Sequence, residues 1–263
     1  MSLRPILRAG ILAAISVAIA AAQPALSAQE QATWIATARE QALAYVRSLP
    51  DFLCTEVTRR YSAPPAEDSS WKLTDRLTVR LSYFDQKEDY RVIRINDKPV
   101  DRRLGNTGGF TVQGDFGTML KNIFTPKSET QFTWERWDTW KDRRVAVFGY
   151  RIERAHSEFN SSWQGFLKRG QAIWGAKGFL EIDAENRQVL RATVDSIDMP
   201  ANSVTHEVHL ALDYDYQKIG DREFLLPAHS LTVMTFKSGR AKLDSDFTEY
   251  RKFSADTKIE FGK

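Results

Sequence analysis

Histidines and paired aspartates are the residues of this chain whose types and spacing come nearest to a reactive site. His206 and His209 stand three apart, a spacing that on a helix would aim two metal ligands at one ion. Their setting is V-T-H-E-V-H-L-A-L-D-Y-D-Y, from Val204 to Tyr216. Its even positions are apolar or aromatic apart from His206, and its odd positions are mostly polar, which is the pattern of a strand with one buried face. Alternation predicts His206 facing inward and His209 outward, so the pair does not converge on a metal. His156 and His229 lie on other segments with no ligand spacing around them.

Asp213 with Asp215, and Asp244 with Asp246, each share a strand face. Such pairs can act as acid and base or hold calcium. Solvation of an outer sheet face demands the same residues, and that is the expected role here. No G-x-S-x-G elbow occurs. The glycines at 105, 108, 109 and 114 lack the lysine and the strand-then-helix setting of a phosphate loop. They read as the hinge of a movable lid. Cys54 is the only cysteine and reads as a small buried hydrophobe. No catalytic residue, metal or cofactor is expected. A hydrolase built on the aspartate pairs is the least favoured function.

Aromatic residues gather twice. Phe132, Trp134, Trp137 and Trp140 fit core packing. Trp163, Phe166 and Trp174 are interleaved with Lys168, Arg169 and Lys177, a mixture used at an interface with a partner or a membrane, although packing of the loop against the fold is the default reading.

The elements that must position these residues follow from periodicity. The 263-residue chain is 42% hydrophobic and 27% charged, with a formal charge of +3, enough apolar content for a full core. Arg4 and Arg8, the apolar run Ile11 to Ala22 and the small residues after it read as a secretory signal peptide over 1–28. Cleavage is expected after Ala22 or near Ser27 and Ala28. Without that segment the chain is close to neutral and shows no electrostatic footprint for nucleic acid.

Residues 29–263 read as a single domain. An amphipathic helix is predicted over Gln31 to Leu49, stopped by Pro50. Strands follow over Thr55 to Tyr61, Trp71 to Tyr83 and Tyr90 to Asn96, with Asn96-Asp97 and Pro99 marking a turn. A Gly-rich loop then leads to Asp115 as an N-cap, with Phe116, Met119, Leu120, Ile123 and Phe124 at helical spacing. Burying those five side chains is worth on the order of 10 kcal/mol as an upper figure, so the segment must plug against a sheet or dock on something apolar. Strands resume at Gln131 to Arg136 and Arg144 to Arg154, then over Gly178 to Val194 as a hairpin. Val204 to Tyr216, Phe224 to Phe236, Lys242 to Phe253 and Lys258 to Phe261 complete an up-and-down antiparallel sheet.

This order resembles the outer-membrane lipoprotein carrier superfamily, the LolA/LolB-like fold. The likeness is sharpest in Gly178-Phe179-Leu180-Glu181-Ile182-Asp183 with Val189-Leu190-Arg191. Asp213-Tyr214, Phe224-Leu225-Leu226-Pro227 and Tyr250-Arg251-Lys252-Phe253 are similar to segments of related secreted bacterial proteins. The resemblance implies an α+β fold in which a long-stranded antiparallel incomplete (half) β-barrel wraps apolar helices. It implies a periplasmic lipid- or lipoprotein-binding carrier and no enzyme. Its lipid site would comprise Phe116, Met119, Leu120, Ile123 and Phe124 as lid, and His206, Val208, Leu210, Leu212 and Tyr214 as wall. The implied partners are acyl chains, held by a monomer. The alternative is a regulatory or scaffolding module with a filled core that binds an envelope protein through Trp163, Phe166 and Trp174.

Overall fold

The computed structural model describes residues 24–114, 116–164 and 169–253. Helix α1 (Ala28–Ser48) opens on a capping box: Ser27 accepts from the Glu30 amide, and the Glu30 carboxylate accepts from the Ser27 backbone. Leu26 packs against the core, and the Pro24 carbonyl accepts from Trp137 Nε1 at 3.2 Å. Residues ahead of the helix therefore take part in the fold. Pro50 ends it, as predicted, and the chain enters the sheet.

Thirteen strands follow among the described residues: β1 (Phe52–Ala63), β2 (Lys72–Phe84), β3 (Lys87–Ile95), β4 (Lys98–Arg103), β5 (Gln131–Trp140), β6 (Arg143–Ile152), β7 (Asn160–Gln164), β8 (Arg169–Ile173), β9 (Gly175–Asp183), β10 (Val189–Ile197), β11 (Thr205–Ile219), β12 (Arg222–Phe236) and β13 (Gly239–Lys252). Helix α2 (Thr118–Phe124) lies between β4 and β5. Eleven strands form one antiparallel sheet in the order β4-β3-β2-β1-β13-β12-β11-β10-β9-β6-β5. The edge strands β4 and β5 do not pair with each other, so this is an open half-barrel. Both helices pack on its inner face, which carries the core. The expected strand Lys258 to Phe261 lies outside the described residues.

Two-residue turns set the register of successive hairpins. Asp85-Gln86, Asn96-Asp97 and Lys141-Asp142 all have positive φ at both positions, the geometry that matches strand twist. The Asn96-Asp97 turn was legible in the sequence; β4 beyond it was not, because Pro99 and its charges suit an edge. The stretch around Trp163, where no strand is predicted, is a small β7–β8 hairpin sheet.

Bulges change which side chains face inward. At the start of β11, Thr205 pairs with Phe236 and Glu207 with Thr235, leaving His206 as the extra residue. Thr205 is buried, and Val204 and His206 are exposed, so the predicted inward His206 does not face the core. The same device acts in β2. Arg60 pairs with Asp75 and Tyr61 with Leu73, so Thr74 is extra. Leu73, inward by simple alternation, is 53% exposed for that reason.

Candidate functional site: the covered inner face of the sheet

Two different covers close the inner face. The first is helical. Trp34, Ala38 and Ala42 of α1, with Met119, Leu120, Ile123 and Phe124 of α2, join one buried cluster with Leu180, Ala192, Val208, Leu212 and Tyr214 of the sheet. α2 is shorter than its apolar spacing predicts. Its N-cap is Gly117, whose φ of 118° is the left-handed conformation that glycine tolerates. Phe116 therefore precedes the helix and packs in a second cluster, against the rings of Phe52, Phe247 and Tyr250. The predicted N-cap Asp115 lies outside the described residues. All five lid residues are buried, but they serve two cores.

Beneath the helices, Gln41, Ala42, Tyr45, Leu120, Gln188, Val189, Tyr214 and Leu225 line a space of about 270 Å³, partly open to solvent. Leu120 and Tyr214 belong to the predicted lipid-binding set; Val208 and Leu212 lie in the adjoining wall, and Leu210 is half-buried. Among the described residues the Tyr45 hydroxyl is buried without a hydrogen-bond partner. Burial, then Tyr83 and Glu88, pushes its pKa far above the usual phenol range, so it stays a neutral donor at the edge of an apolar space.

The second cover is the loop 104–114, and what it covers is polar. On β1 the inward residues Glu56, Thr58 and Arg60 are all buried. Register carries the row across the sheet: Thr58 pairs with Ser245, and Ser245 with Ser230, while Thr232 follows on β12. Thr58 Oγ1 donates to Glu56 Oε1 at 2.6 Å, and Ser245 Oγ donates to the same oxygen at 3.1 Å. Arg60 grips Asp75 with Nε and Nη2, at 2.7 and 2.5 Å, and turns Nη1 to the Gly108 carbonyl at 2.5 Å. Gly108 and Gly109 both have left-handed φ, and a Cβ on Gly109 would stand 3.0 Å from Arg60 Nη1. These glycines let the loop lie flat on the guanidinium. Phe110 stacks on Phe236 at 4.1 Å, with 43% of its surface exposed.

The loop's far end is tied to β3. Glu88 accepts from the amides of Gly114 and Phe116 at 3.1 and 3.3 Å, and from the Tyr90 hydroxyl. Burial raises the Glu88 pKa, and these three donors partly offset the rise.

The residues first suspected of chemistry are neutralised on the outer face. Asp244 and Asp246 both pair with Arg59, at 3.2 and 2.5 Å, and His229 Nε2 stands 3.2 Å from Asp244. His229, Asp244 and Asp246 could each offer a ligand atom within 4.8 Å of the others, but Arg59 already supplies the cation there. Asp213 lies 3.3 Å from Arg191, and Asp215 is 3.1 Å from Lys141. His209 pairs with Asp195 at 2.7 Å. Cys54 is buried in the second cluster.

The partner-contact residues divide. Trp174 is 4% exposed, stacks on Phe159 at 5.3 Å and donates to Ser161 Oγ at 3.1 Å. It is a core residue, because the β7–β8 hairpin folds it inward instead of presenting it. Phe166 and the Trp163 side chain lie outside the described residues. The tryptophans of β5 flank the helical cover: Trp137 meets Trp34 of α1 edge-on at 5.4 Å.

Sequence reasoning missed the polar row entirely. Its one local signal is β1, where Glu56, Thr58 and Arg60 occupy the positions that alternation assigns to a buried face.

No family model matches the chain, and no curated protein matches it. Among solved structures it is similar to a LolA superfamily protein from Nitrosomonas europaea, with 14% identity and a TM-score of 0.37 over 88% of this chain and 95% of the other. It is also similar to an outer membrane lipoprotein-sorting protein domain from Vibrio parahaemolyticus, at 12% identity and TM-score 0.37, covering 86% and 94%. A DUF1329 family protein from Desulfovibrio piger aligns at 10% identity and TM-score 0.37, covering 84% and 94%.

Proposed function

We propose that the chain is an envelope lipid-binding protein of the carrier type, which holds acyl chains between its two helices and the inner sheet face. The observation that carries this reading is the space of about 270 Å³ walled by Ala42, Leu120, Val189 and Leu225 under a helical cover. The enclosed part of that space, about 20 Å³, holds little more than one water, so an acyl chain requires α1 or α2 to shift outward. The left-handed Gly117 at the start of α2 and the glycines before it are where such a shift would be absorbed. Each buried CH₂ contributes about 0.8 kcal/mol, so a long chain offsets the displacement of a few packed side chains.

Secretion to the periplasm accompanies this reading. Pro24, Leu26 and Ser27 take part in the fold, so a cleavage near Ser27 and Ala28 would remove the α1 cap. Cleavage after Ala22 leaves all three in place. N-terminal sequencing of protein recovered from a periplasm should begin at Gln23; a start at Gln29 would contradict the boundary.

Native mass spectrometry and a fluorescent fatty-acid probe test the binding itself. A co-purifying lipid or a saturable probe signal is the expected result. Absence of both would overturn the carrier reading and leave the filled-core interaction module in its place.

A further inference from the structure

The loop-covered row is a built polar site in the interior of the molecule, and it shares no lining residue with the space under the helices. We propose that it binds a primary ammonium group, with Glu56 as counter-charge and the hydroxyls of Thr58, Ser230, Thr232 and Ser245 as the surrounding hydrogen-bond partners. This goes beyond acyl binding and does not depend on it.

Glu56 is 5% exposed. Its Oε1 takes both hydroxyl donors, while among the described residues Oε2 is buried with no hydrogen-bond partner. A buried carboxyl oxygen left unpaired is unfavourable in either protonation state, because a carboxylate lacks a donor there and a carboxylic acid lacks an acceptor. Glu56 lines, with Thr58, Arg60, Phe110, Ser230 and Thr232, a space of about 310 Å³ that includes open solvent at its mouth.

Charge selects the ligand. Arg60 is the cation in this wall, and the bidentate grip of Asp75 neutralises it. Among the described residues Glu56 is then the one carboxyl of the wall, and it has no counter-charge, which disfavours phosphate or carboxylate ligands. A single carboxylate among hydroxyls is also too few anionic oxygens for a calcium or magnesium site. An ammonium has three donors, matching Oε2 and the neighbouring hydroxyl oxygens. The Phe110 ring at the mouth adds a face that attracts a cation. The enclosed part of the space, about 10 Å³, has room for about one water-sized group, which an ammonium head matches while its arm leads out of the mouth, as in a free small amine or the aminoalcohol headgroup of a lipid.

Ethanolamine and ethylene glycol differ only in the ammonium that replaces a terminal hydroxyl. In titrations of the folded chain followed by NMR, ethanolamine should bind at least 10-fold more tightly, with shifts centred on Glu56, Thr58 and Ser245. Glu56→Gln should remove at least 10-fold of that affinity, with circular dichroism confirming its fold. Thr232→Val, which conserves shape, should weaken it several-fold and keeps the test alive if Glu56→Gln does not fold. Micelles containing phosphatidylethanolamine or phosphatidylglycerol separate the sources. Glu56-dependent binding of the first alone assigns a lipid headgroup, and binding of free ethanolamine alone assigns a soluble amine. Equal affinity for ethanolamine and ethylene glycol, full affinity in Glu56→Gln, or no binding of any amine probe would overturn the proposal.

Discussion

The two halves of the inner face belong to one continuous sheet and are closed by opposite means. Under α1 and α2 the wall is mostly aliphatic and aromatic, and the cover is held chiefly by apolar contact, with the Arg187 guanidinium 3.7 Å over the Trp34 ring of α1. Under the loop 104–114 the wall is a row of hydroxyls with one acid, and the cover is held by Arg60 on the Gly108 carbonyl and by Glu88 on two amides. An apolar contact surface can slide and repack with little directional loss, whereas hydrogen bonds to a backbone loop are either made or broken. The helical cover therefore suits ligands of variable length, and the loop cover suits one small group of defined chemistry.

The largest expected effect that would break this contrast concerns the packing. Phe124→Ala under the helices should cost about 3–5 kcal/mol in urea denaturation, as fully buried aromatics do. Phe110→Ala, at the exposed mouth of the loop, should cost less than about 1 kcal/mol. Equal losses would mean that both covers are core.

Removing Arg60 should come next. Arg60→Met leaves Asp75 without its partner in a largely buried position and should destabilise the fold by about 3 kcal/mol. It should also speed tryptic cleavage at the exposed Arg102 and Arg103, beside the freed loop, whereas Phe124→Ala should not do so selectively.

Ala42→Leu fills the space under the helices and should weaken an acyl probe by about 10-fold, equivalent to about 1.4 kcal/mol. Ethanolamine binding should not change, since Ala42 is not part of the other wall.

The smallest effects are in pH dependence. Burial raises the Glu56 pKa; the Thr58 and Ser245 hydroxyls oppose the rise and the Glu88 charge adds to it, while Arg60, which lines the same space, is paired with Asp75. With the folded pKa above the unfolded one, near 4.3, the unfolded chain holds fewer protons in between, and stability falls as pH rises through that window. Glu56→Gln should flatten this slope. Asp183 runs the other way: burial alone would raise its pKa, but the Arg143 hydrogen bond and the amides of Asn186 and Glu185 outweigh it and lower it. Its contribution is present above the unfolded pKa and is lost as pH falls through the folded value, so Asp183→Asn should flatten the acid side of the profile.

Much of the frame was legible in the residues. Alternation located most of the long strands, Pro50 and Asn96-Asp97 marked real boundaries, and the apolar spacing from Phe116 to Phe124 found the helical cover. What failed was assignment to a face wherever a strand carries an extra residue. His206 and Leu73 look inward by counting and are exposed by a bulge. Trp174 looks like a surface aromatic and is buried by a hairpin whose partner strand has no strong pattern.

By itself the sequence determined the strand-rich architecture, the amphipathic α1 with its stop, and the need of an apolar mid-chain segment for a surface to cover. Those properties depend on neighbours within one or two turns of chain, so period and turn residues report them. Only the tertiary structure decided that Thr58, Ser230 and Ser245 form one row, that Glu56 sits beneath it with an unpaired oxygen, and that Phe116 and α2 serve different cores. Thr58 and Ser245 are 187 residues apart, and their contact exists only through the register of β1 on β13. Register is set by the pairing of whole strands and shifted by single bulges, and neither is written in any one segment.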